Sequence, residues 1–187
     1  SKPLDKALPP GSAIGILGGG QLGRMAALAA AQLGYRVHIY TPKADDPALK
    51  VCEGRHVAAF EDEAALAAFA EAVDVVTYEF ENVPYQTAVF LAERVTVRPD
   101  PKLLHTCQNR LREKDFLASI EVPTTRYAEV SGPAGVARAL RDLGSPCVLK
   151  TAEGGYDGKG QTIVKTGDDF ESAWKRMGAA LGSEGPG

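Results

Sequence analysis

Ala13-Ile14-Gly15-Ile16-Leu17-Gly18-Gly19-Gly20-Gln21-Leu22-Gly23-Arg24-Met25 joins an apolar pentapeptide to a glycine cluster and then to a segment of helical periodicity. Ala13 to Leu17 has the length of a short buried strand. Gln21 to Leu33 carries Leu22, Met25, Ala29 and Leu33 at helical spacing, and Gly34 is its natural stop. Gly18, Gly20 and Gly23 satisfy Gly-x-Gly-x-x-Gly between strand and helix, the setting in which a helix N-terminus meets an anion. For a dinucleotide the fingerprint is incomplete. The acid expected about twenty residues on is missing. The second strand, Arg36 to Tyr40, runs into Thr41-Pro42, and the next acids are Asp45 and Asp46 beyond the turn. A small phosphorylated substrate would serve this loop as well as a cofactor.

The alternation continues to about residue 99. His56 to Phe60 reads as a weak strand, and Glu63 to Val73 as a helix with Leu66, Phe69, Ala70 and Val73 on one stripe. Asp74 to Phe80 reads as a strand, Pro84 to Glu93 as a helix and Val95 to Arg98 as a strand. Strands separated by helices of this length imply βαβ units, hence a mainly parallel sheet in an α/β, Rossmann-like domain over residues 1–99. Pro99-Asp100-Pro101 breaks that rhythm. Residues 100–187 then read as helices at Lys102 to Cys107 and Arg110 to Ile120, a strand near Arg126 to Val130 and a helix near Ala134 to Leu143. A strand-loop-strand unit follows, then a last helix from Asp168, with Glu171 three residues on as a capping-box-like pair. Such a unit without further strands leaves a half-covered sheet, so this second region reads as an incomplete α+β domain.

The loop of that unit is Gly154-Gly155-Tyr156-Asp157-Gly158-Lys159-Gly160-Gln161, directly after Pro146-Cys147-Val148-Leu149-Lys150. Four glycines offer backbone N–H groups that no side chain blocks, beside a lysine delivered by a strand. That combination suits a nucleotide triphosphate, although it is not the Walker sequence. A plain glycine-rich hairpin is the simpler reading of the same residues, with Gln161 to Lys165 as the return strand.

Glu79 and Glu81 stand at the C-terminal end of a strand, the end that faces the ligand crevice in open α/β sheets. Alternation puts them on one side and Tyr78 and Phe80 on the other. They suit ribose hydroxyls or an amine, and equally the N-terminal dipole of the following helix.

The net charge of -3 argues against a general nucleic-acid binder. Arg110, Arg112 and Lys114 form a local cluster, most simply a solvated helix face. No apolar run approaches the ~20 residues of a membrane span, and Ser1-Lys2-Pro3-Leu4-Asp5-Lys6 lacks the apolar core of a signal peptide. Cys52, Cys107 and Cys147 are far apart and odd in number, which suits a reducing cytoplasm better than a disulfide framework or a zinc site. His38, His56 and His105 are equally scattered.

Three segments, Gly18 to Met25, Thr77-Tyr78-Glu79-Phe80-Glu81-Asn82-Val83 and Gly154 to Gln161, together resemble the N5-carboxyaminoimidazole ribonucleotide synthetase family of ATP-grasp enzymes in order and spacing. Gln108-Asn109-Arg110-Leu111-Arg112-Glu113-Lys114 is similar to the helix before that family's nucleotide site, where Asp commonly stands in place of Asn109. The resemblance covers residues 13 to 182. It implies a pre-ATP-grasp domain followed by a partial ATP-grasp domain.

The implied activity is ATP-dependent carboxylation of 5-aminoimidazole ribonucleotide by bicarbonate, through carboxyphosphate, giving ADP and phosphate. On the same basis Arg110, Lys150, Gly155, Tyr156, Asp157, Gly158, Lys159, Gly160 and Gln161 would meet ATP. Gly20, Gln21, Leu22, Glu79, Tyr156, Asp157 and Lys159 would line the ribonucleotide. The family's Mg2+ ligands and the basic residues for the ribonucleotide phosphate are expected beyond residue 187, so no metal site is expected here and the 187 residues alone are expected to be inactive. A cytoplasmic homodimer is implied for the full-length enzyme, with small-molecule partners only. Two other readings stay open: a different ATP-grasp carboxylate-amine ligase, and a non-catalytic nucleotide- or dinucleotide-binding module.

Overall fold

The computed structural model describes residues 7–154 and 160–180. The chain divides into two compact units between His105 and Thr106.

The first unit is a five-stranded parallel sheet in the order β3-β2-β1-β4-β5. Its strands are β1 (Ala13–Leu17), β2 (Arg36–Thr41), β3 (Gly54–Val57), β4 (Val75–Tyr78) and β5 (Thr96–Val97). The helices are α1 (Gln21–Gln32), α2 (Glu63–Glu71), α3 (Tyr85–Ala92) and α4 (Pro101–Cys107), with a 3₁₀ turn at Pro47–Lys50. Register carries the layering. Ile16 pairs with Ile39 and Leu17 with Tyr40, so successive residues feed opposite faces. Ile16, Val37 and Ile39 pack with Ala27, Ala48 and Leu49 on one side. Leu17, Tyr40 and Val76 pack with Leu66, Phe69 and Leu91 on the other. Burying a side chain such as Phe69 contributes about 1.5–3 kcal/mol. Gly15 leaves room for its ring tip against β1, since a Cβ there would come within 2.6 Å of Phe69 Cζ.

The apolar stripe that marks α1 in the sequence does not face the sheet. Leu22, Met25, Leu28 and Leu33 are exposed, and the buried residues of the helix are Gly23 and Ala27. The helix lies close to the sheet end, where only small residues fit. A Cβ on Gly23 would stand 2.9 Å from the Gly18 carbonyl oxygen.

β3 also sits earlier than its residues suggest. Ala58 N–H donates to the Thr41 carbonyl (3.2 Å), the end of the ladder, and beyond it the Ala59 carbonyl accepts from Tyr40 Oη (2.6 Å) instead of from a strand neighbour. Burial, with Asp62 and Glu61 nearby, pushes the Tyr40 phenol up to about 12, so it remains a neutral donor. Asp62 caps α2 by accepting from Ala65 N–H at 3.0 Å.

The second unit contains α5 (Arg110–Ser119), α6 (Gly132–Leu143), the antiparallel pair β6 (Cys147–Lys150) and β7 (Gln161–Val164), and α7 (Phe170–Ala180). Val136 and Leu140 of α6, Ala173 and Met177 of α7, and Leu149 and Val164 of the hairpin form its core. On the other face of the hairpin, Val148 and Ile163 are register partners and both are exposed, at 54% and 64%.

The strand expected near Arg126 to Val130 is not formed. That segment carries no ladder among the described residues and is tied by side chains instead. Tyr127 Oη donates to Asp115, Lys114 Nζ to Thr125 Oγ1 at 3.1 Å, and Arg126 to the Asp142 carbonyl at 2.5 Å. The cap of α7 is Asp169, not Asp168 with Glu171. Asp169 Oδ1 accepts from Ser172 N–H at 3.1 Å, while Asp168 accepts from Lys165 N–H at 2.8 Å and closes the turn before it. The helix begins two residues later than the sequence pair suggests, which moves the capping role by one position.

Candidate functional site

Strand order reverses between β1 and β4, and in open α/β sheets the crevice at the C-terminal ends of such a pair is where ligands bind. Leu17 and Tyr78 are register partners at that end, so the glycine loop after β1 and Glu79 after β4 emerge side by side. Glu79 N–H donates to the Leu17 carbonyl at 3.0 Å. Its carboxylate reaches into the loop and accepts from Gly20 N–H at 2.7 Å and from Gly23 N–H. These are first-turn donors of α1, whose N-cap Gly20 has no capping side chain of its own.

The three fingerprint glycines leave room for this carboxylate. A Cβ on Gly20 would stand 2.8 Å from Glu79 Oε1 and one on Gly23 2.9 Å from Oε2, while one on Gly18 would land on Glu79 Cγ. Gly18 also has φ +104, a conformation that L side chains rarely adopt. The anion at this helix N-terminus is therefore the chain's own. A dinucleotide pyrophosphate would need the same N–H groups and would meet a like charge.

The middle glycine, Gly19, packs on Asp46, whose Oδ2 would lie 2.6 Å from a Cβ there. Asp46 accepts from the Thr41 hydroxyl, and Ala48 N–H donates to the Gly19 carbonyl at 2.9 Å. The acid absent from its usual place at the end of β2 thus returns from beyond the turn. Only the Thr41-Pro42 reversal signals this in the sequence. Gln21 and Leu22 open α1 and are exposed. Glu81 is exposed beyond the strand, which ends at Tyr78, so strand alternation does not set its direction.

Each Glu79 oxygen has lone-pair capacity beyond the N–H it accepts from α1. The carboxylate can hold a donor such as an amine while the helix terminus keeps it in place.

In the second unit, Lys150 ends β6, exposed, opposite Gln161 at the start of β7. Gly160 is buried with φ +70, and its carbonyl accepts from Thr151 N–H at 3.0 Å across the base of the loop. Gly155, Tyr156, Asp157, Gly158 and Lys159 lie outside the described residues. Arg110 is the first residue of α5. Its Nη1 donates to the Thr151 and Gly154 carbonyls at 2.9 and 2.8 Å, and its N–H to the Ala152 carbonyl at 2.8 Å. The basic cluster is thus more than a solvated face. Arg110 and Arg112 (to Glu153, 3.4 Å) both engage the segment that enters the loop.

Two histidines far apart in sequence meet on β2 and β3. His38 Nδ1 and His56 Nε2 are 3.2 Å apart, and burial lowers both imidazoles, with the His38 charge adding to the effect on His56. Among the described residues, no group of three or more His, Cys, Asp or Glu side chains could hold a metal ion. None of their helices is long and apolar enough to cross a membrane.

Residues 12–108 match the model of the ribonucleotide synthetase preATP-grasp domain, and residues 115–182 that of the ATP-grasp domain. The chain is 46% identical over 176 residues to the bifunctional purine synthesis protein purC/E of Dictyostelium discoideum, covering 94% of this chain and 18% of that protein. It is 46% identical over 170 residues to N5-carboxyaminoimidazole ribonucleotide synthase of Brucella melitensis, covering 90% and 47%. A crystal structure of an ADP complex of N5-carboxyaminoimidazole ribonucleotide synthetase superposes with a TM-score of 0.87 at 39% identity, over 94% of this chain and 47% of that one. The chain thus spans about half the length of the single-function synthases it matches. A parallel sheet with a glycine loop and a carboxylate at its switch point, followed by a glycine-loop hairpin, agrees with both matches: the chain belongs to the ribonucleotide synthetase preATP-grasp family, with part of an ATP-grasp domain after it.

Proposed function

We propose that this chain is part of an enzyme that carboxylates 5-aminoimidazole ribonucleotide with bicarbonate at the expense of ATP. The observation that carries the reading is Glu79, a carboxylate clamped by Gly20 and Gly23 N–H at the switch point. It suits an amine-bearing substrate and disfavours a dinucleotide. Gly20, Gln21, Leu22 and Glu79 would face the ribonucleotide. Lys150, Arg110 and the segment from Gly155 to Gln161 would serve ATP, with Tyr156, Asp157 and Lys159 reaching toward the ribonucleotide as well.

In the proposed reaction a bicarbonate oxygen attacks the γ-phosphorus and ADP leaves, giving carboxyphosphate. The substrate amine then attacks the carboxyl carbon, phosphate leaves, and the amine gives up a proton. Such phosphoryl transfer depends on positioning and charge neutralisation, which Lys and Arg supply. Mg2+ would accompany the nucleotide in the same reading. Bicarbonate as co-substrate, a homodimer and a cytoplasmic setting belong to the same proposal.

ADP release by the protein carrying this chain is the test. Release that requires both bicarbonate and 5-aminoimidazole ribonucleotide supports the reading. Release with another amine instead would assign a different carboxylate-amine ligase. NADH binding without ATP binding would leave only a dinucleotide module.

A further inference from the structure

The segment from Thr151 to Gly154 connects β6 to the glycine loop, and the N-terminus of α5 holds it at several points. Asn109 and Glu153 form an isolated antiparallel bridge. The Asn109 side chain joins two tasks. Its Oδ1 accepts from Leu111 and Arg112 N–H at 3.0 and 3.2 Å, which caps α5. That orientation leaves Nδ2 to donate to Glu153 Oε1 at 3.1 Å, and Arg112 Nη2 reaches the same oxygen at 3.4 Å. Arg110 holds the carbonyls on either side of this bridge. The return leg is held separately, by Thr151 N–H on the Gly160 carbonyl.

We infer that Asn109 and Glu153 are positioning residues that set the base of the glycine loop for a nucleotide, a role resting on the nucleotide reading above. One amide is made to orient the helix end and the loop entry together. The loop entry therefore already stands in a fixed place when a triphosphate is bound. The bridge holds the site equally in ground and transition states, so breaking it belongs in KM for ATP rather than in kcat.

Asn109→Asp separates the two tasks. An aspartate still caps α5, since Asp and Asn are comparable N-caps, but it faces Glu153 with a like charge. KM for ATP is expected to rise about fivefold, the effect of removing one hydrogen bond at a partly exposed site, with kcat and the thermal midpoint unchanged. Adding Glu153→Gln gives the aspartate a donor in return, and the double variant is expected to recover most of the wild-type KM. Should Asn109→Asp fail to fold, Glu153→Ala carries the test, with a rise in KM expected. An unchanged KM in the single variant, or no recovery in the double, overturns the inference alone. Absence of ATP saturation in the wild-type enzyme overturns the nucleotide reading and this inference with it.

Discussion

In the first unit the glycines from Gly18 to Gly23 close around a carboxylate of their own chain, and the helix N-terminus behind them is already satisfied by Glu79. In the second unit an arginine, an asparagine and a backbone bridge grip the entry to a glycine loop, and the hairpin beside it presents Lys150, Val148 and Ile163 outward. The same residue type thus works in two ways. Around Glu79, glycine is required because any Cβ would collide with a fixed partner. In the second loop the described residues hold the entry, and under the nucleotide proposal its glycines would offer unblocked backbone N–H groups to an anion.

Gly18→Ala tests the first half of that contrast most severely. The substitution puts a Cβ on Glu79 and an L residue at φ +104. A loss of about 3 kcal/mol or more is expected in urea unfolding; a loss below about 1 kcal/mol would mean the loop can open away from the carboxylate.

Glu79→Gln comes next. An amide offers one acceptor oxygen where two N–H groups now find two, so stability should fall by about 1–2 kcal/mol, and ribonucleotide-dependent turnover should fall with it. Unchanged stability would show that the carboxylate does not fill the helix terminus in solution.

Arg110→Met probes the other loop. Water can replace the missing donors at the exposed Gly154, so unfolding should shift by no more than about 1 kcal/mol, while KM for ATP rises. The reverse pattern, with stability reduced and KM intact, would erase the difference between the two loops.

The smallest effect is expected at the His38–His56 pair. Both imidazoles lie below their ordinary value in the folded state because burial disfavours the charged form. The unfolded chain then binds more protons as pH falls below about 6.5. The pair's stabilisation is therefore complete above that pH and is lost as pH drops through the folded values. Glu53 opposes this at His38 and Arg36 reinforces it. Urea midpoints at pH 7.5 and 5.5 should differ less in His56→Phe than in the wild type; identical pH dependence would refute the assignment.

The parallel sheet and most helices were legible from residue pattern, because strand-length apolar runs and helical stripes report burial directly. α1 shows where that logic stops. Its large apolar residues point out and Gly23 and Ala27 point in, since close approach to a glycine loop selects for small size rather than hydrophobicity. Arg126 to Val130 shows the same limit for strands: β-branched and aromatic residues make a strand only where a neighbour offers a ladder. In the candidate site, Glu79 and the glycines of both loops could be picked out from their positions at strand ends. The bond from Glu79 to Gly20 spans 59 residues, and the bridge from Asn109 to Glu153 spans 44. No local pattern encodes pairings at such separations.

Local residue order by itself determined the alternating βαβ architecture, the two glycine loops and the acids at strand ends, because periodicity and turn chemistry act over a few neighbouring residues. Only the folded chain decided that the first loop's anion is Glu79, that Asp46 returns to Gly19, and that α5 holds the second loop at Glu153. Those outcomes depend on which strand ends the parallel register and the helix ends bring within hydrogen-bonding distance.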